Sequence, residues 1–561
     1  MEKIWLANYP ESVPHDINPE EYSSLVDLLE FCFNSYPNNV AYQNMGEALT
    51  YSDLEEKSRQ FASYLQNTLG FKQGDRIALM MPNLLQYPIA LFGILRAGMV
   101  AVNTNPLYTA EEVTHQLNDS GAKAIVVLSN FAHTIAAAKT KLNTIQRVIT
   151  TDIGDAFPWP KRTLVNVIVK YVKRMVPSYH IKRSTTFLNA LKSGSQSTYH
   201  RPLLTGEDTA FLQYTGGTTG VAKGAILTHR NMVSNVEQAS SWISPVFNEG
   251  ENELIITALP LYHIFSLTAN CLTFLKHGAR NILITNPRDI PGFIKEIKNV
   301  QFTSFTGVNT LFNALLNDPN FVDVDFSKLK YTLSGGMSLQ ESVATRWHEV
   351  TKTPILEAYG LTETSPAVTM SPSYIEKFNG SIGLPVPSTE ISIRDEDGNE
   401  LAIHESGELC IRGPQVMKGY WQRPIETLHV LDEDGWLKTG DIARIDEKGF
   451  VYIVDRIKDM IIVSGFNVYP NEVEAVISLL DDVLEVGVIG VPYEQSGERV
   501  KACIVKKNPE LTTQAIIAHC REHLTGYKVP KIIEFVDELP KTNVGKIMRR
   551  ALRNAQIIKS A

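Results

Sequence analysis

The stretch Tyr214-Thr-Gly-Gly-Thr-Thr-Gly-Val-Ala-Lys-Gly224 has the residue types needed to hold phosphate. Its glycines let the backbone turn so that successive N–H groups converge on anionic oxygens. The hydroxyls of Thr215, Thr218 and Thr219 add donors, and Lys223 adds a positive charge. A triphosphate tail fits this arrangement. The pattern is not a Walker A loop, which needs Ser or Thr after its lysine where this chain has Gly224, nor is it the dinucleotide GxGxxG. Taken alone, a loop of glycine and threonine also reads as a flexible turn.

The loop does not stand alone. The chain also carries, in order, Tyr359-Gly-Leu-Thr-Glu-Thr364, Gly435-Trp-Leu-Lys-Thr-Gly-Asp441, Asp455-Arg-Ile-Lys-Asp459, Ser464-Gly-Phe-Asn-Val-Tyr-Pro470 and Pro540-Lys-Thr-Asn-Val-Gly-Lys546. This ordered set resembles the adenylate-forming superfamily of acyl-CoA synthetases, adenylation domains and luciferases. Within it the chain looks most like the bacterial long-chain fatty acid-CoA ligases, from Trp5 and Tyr9-Pro10 through Asn105-Pro-Leu-Tyr108 and Thr285-Asn-Pro-Arg-Asp-Ile-Pro to Gly526-Tyr-Lys-Val-Pro. One departure is Ala222, where many members have proline before the loop lysine; it loosens the loop without removing a donor.

The resemblance implies that ATP and a fatty acid give acyl-AMP and diphosphate, and that coenzyme A then takes the acyl group and releases AMP, in fatty acid metabolism upstream of β-oxidation. Such chemistry asks for charge neutralisation and in-line positioning more than for covalent help. It assigns Thr215, Gly216, Gly217, Thr218, Thr219, Gly220 and Lys223 to the β- and γ-phosphates, Thr362 to the α-phosphate, and Glu363 to Mg2+ accompanying the ATP. Tyr359 would stack on adenine, Asp441 would accept the ribose hydroxyls with Arg456 donating beside it, and Gly335, Gly336 and Gly360 join the ATP site. Lys546 is the expected catalytic cation, with Lys223 and Glu363 also catalytic. Lys458 matches the family hinge, and Ser464, Gly465 and Phe466 would line the path of coenzyme A after a domain swing. His263, Phe265, Gly307 and Val308 would wall the acyl pocket, where each buried methylene is worth ~0.8 kcal/mol. Each residue also has a plainer reading: Glu363 as a surface glutamate, Tyr359 as packed core, Asp441 as a turn cap, Lys546 as one cation of a basic tail.

The elements that must position these groups follow an α/β pattern. Between about residues 50 and 130, β-rich runs such as Arg76-Ile-Ala-Leu-Met and Ala124-Ile-Val-Val-Leu alternate with helical patterns such as 54–69, and the alternation recurs over 208–354. Short strands near 390–394 and 407–412 predict a β-rich subdomain. After Phe450 the spacing predicts strands at 451–454, 459–464, 485–491 and 501–506, helices after Pro470 and over 513–524, and a basic tail around 546–553. The expected architecture is a large multilobed N-terminal body, 1–457, of two α/β lobes plus the β-rich subdomain, and a small mobile α+β C-terminal domain, 458–561.

Composition narrows the partners. With 53 basic against 61 acidic side chains, a nucleic-acid footprint is not expected. The cysteines Cys32, Cys271, Cys410, Cys503 and Cys520 form no CxxC pair, which favours a reducing cytoplasm over disulfides or zinc. His519 and His523 lack an HExxH context and read as a solvated helix face. No signal peptide is evident, and the apolar run 89–102, broken by Arg96, is shorter than the ~20 residues of a membrane span and reads as a buried helix and strand. One segment stands out: residues 156–206 contain nine Lys/Arg and no acidic residue. It reads either as a core-packed helix with a solvated basic face or as a patch that meets anionic lipid at the inner face of the cell membrane. A homodimer is an open alternative to a monomer. Two competing functions use the same motifs: loading of a carrier-protein thiol, and a non-catalytic nucleotide or fatty-acid sensor.

Overall fold

Aliphatic runs become strands buried on both faces, as parallel sheets require: every residue of Val100–Asn103, Ala124–Leu128 and Ser304–Gly307 is buried. The computed structural model describes residues 2–215, 222–247, 251–493, 495–542 and 544–560. An eight-stranded sheet runs in the order Gly419–Tyr420, Lys223–Thr228, Thr209–Thr215, Val100–Asn103, Arg76–Met80, Ala124–Leu128, Arg147–Thr151, Ser184–Thr186. All its pairings are parallel except those of Lys223–Thr228 with its two neighbours. A nine-stranded sheet holds, at its centre, Ile355–Gly360, Tyr331–Gly335, Ser304–Gly307, Leu254–Thr257 and Arg280–Leu283, paired in parallel. One continuous apolar core joins both sheets.

The run 89–102 is a helix and strand, as its length demanded. Every residue of the helix Gln86–Arg96 is buried, Arg96 included. Its guanidinium meets Glu30 at 3.0 Å and Glu55 at 2.8 Å and donates to the Ser58 hydroxyl, so the buried charge is paired on several sides. No helix among the described residues is long and apolar enough to cross a membrane.

The β-rich subdomain is a four-stranded antiparallel sheet, Glu390–Arg394, Gly407–Arg412, Leu437–Ile445, Val451–Arg456. A further sheet is built from Phe466–Val468, Ile461–Val463, Gly497–Lys506, Val483–Tyr493 and Ile532–Phe535, with its own apolar core under the helices Pro470–Ile477 and Thr513–His523.

Three expectations change. The strand beginning at 459 starts instead at Ile461, because Ile457–Asp459 winds into a short 3-10 turn that ties Asp459 to Arg549 and Arg553. The basic tail is a helix from Arg549 onward, whose first arginine is drawn into acidic partners instead of solvent. The basic segment forms the helix Lys161–Val167, continued by Ile168–Val172; Val165 and Val169 touch the main core, but no side chain of it is buried.

Replacing Arg96 by Ala would strand Glu30 and Glu55 around a vacated pocket. It is expected to cost about 3–5 kcal/mol, read as a lower denaturation midpoint. An unchanged midpoint would mean the ion pairs contribute nothing.

Candidate active site

The parallel strands deliver their carboxyl ends to one region, where open α/β sheets bind ligands. Thr215 ends the strand Thr209–Thr215, Gly307 ends Ser304–Gly307, Gly335 ends Tyr331–Gly335, and Tyr359-Gly360 end Ile355–Gly360. A Cβ is excluded at one of these ends and crowded at another. A Cβ on Gly360 would lie 1.9 Å from the Pro366 carbonyl oxygen, and one on Gly335 would lie 3.1 Å from the Phe265 ring. Gly336 has φ +78°, with open space beside it. The turn at Gly360 sets the next residues, Thr362 and Glu363, on a one-turn 3-10 helix packed against the strands of the phosphate loop.

Lys223 and Glu363 are joined by a residue the motifs did not single out. Gly419-Tyr420 pairs as a short strand with Lys223–Thr228, Tyr420 opposite Ala225. The Tyr420 hydroxyl donates to Glu363 Oε1 at 2.7 Å, and Lys223 Nζ lies 5.1 Å from the centre of the Tyr420 ring. Burial and the Glu363 carboxylate push the phenol far above its ordinary range, so it stays a donor. Glu363 retains acceptor capacity, and one carboxylate beside a glycine-threonine loop is a donor set that would suit Mg2+ accompanied by phosphates. Gly216, Gly217, Thr218, Thr219 and Gly220 lie outside the described residues.

Asp441 is saturated on the protein side. The strand register sets it opposite Arg456, whose Nε reaches Asp441 Oδ1 at 2.9 Å, and the Tyr359 hydroxyl donates to Oδ2 at 2.6 Å. The side chain is 3% exposed. Burial, then the Asp441 carboxylate, drive the Tyr359 phenol far upward; burial opposes the Arg456 charge, yet Asp441, Tyr359, Asp459 and Glu363 together more than compensate. The three groups form a fixed triangle that clamps the Tyr359 ring by its hydroxyl end. Each carboxylate oxygen keeps acceptor capacity beyond these two bonds.

Lys546 reaches this site on a tight turn, closed by Thr542 N–H to the Lys546 carbonyl at 2.7 Å and by Lys546 N–H to Thr542 Oγ1 at 3.1 Å. The turn docks on the helix Asn309–Leu316, where the Thr310 hydroxyl donates to the Gly545 carbonyl at 3.0 Å; a second bond runs from Asn313 to the Leu484 carbonyl at 3.0 Å. Burial, then the cations Arg456, Arg549 and Lys458, bring the Lys546 ammonium down to about 7, while Asp441 opposes the shift. His263, capping the turn before Phe265, is held at about 4 by burial and by Lys546 and is therefore neutral. A Cβ on Gly545 would lie 3.4 Å from Val308, so the lysine turn touches the predicted acyl wall, and Gly307 lies over Phe312.

Arg549, expected in a solvated tail, is instead held by Glu474 at 2.8 Å, Asp455 at 3.4 Å and Asp459 at 3.5 Å. Asp455 is fully buried, and burial lifts its carboxyl to about 6 although Arg549 pulls it down. These contacts run from the strand before Lys458 to the helix after Lys546. Burial and neighbouring Arg456 lower the Lys458 ammonium. Ser464, Gly465 and Phe466 are not brought to the site: Ser464 (φ +52°) and Gly465 (φ +84°) form an exposed two-residue hairpin turn, and Phe466 stacks on Tyr527 with ring centres 5.0 Å apart. His519 is half-buried and bonds the Val476 carbonyl at 2.9 Å, so only His523 keeps the solvated position expected of both. No spacing pattern flags Tyr420 or Arg549; a glycine before Tyr420 and an excess of acids at 455–474 are the only traces.

Tyr420→Phe keeps the ring under Lys223 and deletes the donor to Glu363. Loss of a hydrogen bond to a charged group predicts about a 10-fold fall in kcat/KM for ATP, with a steeper Mg2+ requirement and an unchanged melting temperature. Parental kinetics in the diphosphate-release assay would refute a role for that bond.

Comparison with known proteins agrees with this geometry. The pattern of the AMP-binding enzymes matches residues 29–421, and that of the AMP-binding enzyme C-terminal domain matches 472–546. A long-chain-fatty-acid–CoA ligase of Yersinia pestis is 58% identical over 557 residues, covering 99% of each chain. The protein of the same name in Escherichia coli O157:H7 is 58% identical over 554 residues, covering 99% of this chain and 98% of that one. The crystal structure of an anthranilate CoA ligase with anthranoyl-AMP superposes with a TM-score of 0.85 at 25% identity, covering 97% of this chain and 100% of that one. With the matched pattern spanning most of its length and relatives this similar over nearly all of it, the chain belongs to the AMP-binding enzyme family.

Proposed function

We propose that this chain is an ATP-dependent long-chain fatty acid–CoA ligase that works through an acyl-AMP intermediate. One observation carries the reading: a depressed lysine, Lys546, is delivered by one sheet domain into the Asp441–Tyr359–Arg456 triangle of the other, beside the acyl wall. A pure binder has no use for a reactive cation supplied from a separate unit. The choice of a long-chain acid is supported by the names of relatives 58% identical over nearly the full length.

In the first step a carboxylate oxygen attacks the α-phosphorus, the bond to the bridging oxygen breaks, and diphosphate leaves. Lys223 and the phosphate loop would bind the departing phosphates, Thr362 the α-phosphate, and Asp441 the ribose, while Tyr359 offers adenine a face held rigid by its hydroxyl. Glu363 would hold Mg2+, which would offset charge on the phosphate oxygens. Lys546 would lie between the carboxylate and the α-phosphate, lowering their repulsion; neutral His263 adds no competing charge there. In the second step the coenzyme A sulfur attacks the acyl carbon, its proton passes to solvent, and the bond to AMP breaks. Taking 458–561 as the mobile unit, rotation at Lys458 would withdraw Lys546 and bring Ser464, Gly465 and Phe466 to the thiol path.

Incubation with ATP, Mg2+, palmitate and coenzyme A is expected to release diphosphate and AMP in step with palmitoyl-CoA. Absence of diphosphate would reject the proposal, and transfer only to a carrier-protein thiol would favour the alternative acceptor. Lys546→Ala should slow adenylation by ~100-fold or more while still converting supplied acyl-AMP; equal loss in both steps would contradict the swing. Because the Lys546 pKa is depressed to about 7, its ammonium is lost as pH rises through that value. The adenylation kcat/KM should therefore carry an alkaline limb near pH 7 that is displaced upward in kcat, where bound triphosphate restores the charge. Thioester formation from supplied acyl-AMP should lack that limb.

A further inference from the structure

Away from the nucleotide site, the helix Thr513–His523 gathers three side chains of metal-binding type, His519, Glu522 and His523. Spaced i, i+3 and i+4, they share one face of the helix, while Arg521 falls on the opposite side and Cys520 is buried in the core of the C-terminal unit. The HExxH pattern sets its glutamate beside the first histidine; here the glutamate precedes the second, which places it on the shared face as a ligand. One ligand atom from each residue lies within 4.8 Å of the other two, and the imidazole ring centres are 4.6 Å apart. An ion with bonds of ~2 Å holds tetrahedral ligands about 3.3 Å apart. Closing the set therefore asks only for small turns of Glu522 and His523, both of which are exposed.

His519 is held in a ligating form by a second helix. Its Nε2 meets the Val476 carbonyl of the helix Pro470–Ile477 at 2.9 Å. A carbonyl only accepts, so Nε2 carries the proton and the free lone pair is left on Nδ1. A backbone carbonyl placed behind one ring nitrogen in this way fixes the tautomer and the ring before an ion arrives, as it does for most metal-binding histidines. The field of the helix acts in the same direction. The three residues occupy its last turn, since His523 ends it and extended Leu524 closes it by an N–H bond to the Cys520 carbonyl at 2.8 Å. The carboxyl end of a helix carries partial negative charge and favours a cation.

We propose that His519, Glu522 and His523 form a binding site for a divalent cation of the zinc class, with water completing its shell. Two imidazoles and one carboxylate select Zn2+ over Mg2+, which prefers oxygen ligands alone, so the site is chemically distinct from the one assigned to Glu363. By holding His519 in place, the ion would brace the helix Thr513–His523 on the helix Pro470–Ile477 and stabilise the C-terminal unit. Binding stands or falls independently of the ligase reading, because no catalytic group takes part in it.

The test is calorimetric titration of the chelator-treated, dialysed full chain with Zn2+ in excess Mg2+, together with melting curves in the presence and absence of Zn2+. The parent is expected to take up one Zn2+ per chain and to melt at a higher temperature with it. All five cysteines are buried, so thiols do not compete in the native chain. His523→Gln and Glu522→Gln alter exposed side chains; each should keep the parental melting temperature without metal, weaken Zn2+ binding by at least ~10-fold, the size that loss of a supporting partner already costs, and lose the rise in melting temperature. His519→Gln, which can still donate to Val476 but offers no ring nitrogen, should weaken binding by the same factor. No saturable binding at one equivalent, full displacement by Mg2+, or undiminished binding by His519→Gln or His523→Gln overturns the proposal.

Discussion

The organising constraint is electrostatic: a site that must hold a polyanion gathers cations that repel one another before it arrives. Lys546 sits with Arg456, Arg549 and Lys458 around it, and the conflict appears as an ammonium brought down to about 7. The turn that carries it is held by the Thr310–Gly545 bond, and its domain by the Asn313–Leu484 bond, single polar contacts of modest net strength. An assembly of this kind is stabilised by its ligand and loosened by its absence, which suits the domain rotation proposed above.

Beside that cation stands a rigid frame. Asp441, Tyr359 and Arg456 come from two sheets, and each fixes the other two: the carboxylate spends one oxygen on each partner, and the strand register holds Asp441 opposite Arg456. Tyr420 performs the same service for Lys223 and Glu363. Its backbone is paired to the strand that begins with Lys223, and its hydroxyl holds Glu363, so that loop lysine and carboxylate share one support. Preorganised polar groups of this sort need no rearrangement at the moment of reaction.

Arg549 links frame and arm. Glu474 and Asp459 hold it within the C-terminal sheet unit, and Asp455, buried at the end of the strand preceding Lys458, holds it from the other side. The catalytic turn and the segment about which it would rotate therefore share a buried ionic cluster, and a charge lost from either side would be left uncompensated.

Periodicity and motif spacing were enough to read the α/β class, the buried helix and strand at 89–102, the β-rich sheet and most strands of the C-terminal unit, because each is a local property of which side chains alternate or recur. The family resemblance carried by the ordered motifs implied that Lys223, Glu363, Tyr359, Asp441 and Lys546 serve one site. Tertiary structure alone decided what those groups touch. Tyr420 reaches Glu363 across 57 positions of sequence while its ring lies under Lys223, Arg549 leaves an apparent tail for an acidic cluster, and the helix at 161–172 presents its apolar stripe outward because Lys161 and Asn166 pin it from behind. A side chain's partner depends on which distant strand ends beside it and which face a neighbour has already claimed, and no local pattern of residues carries that information.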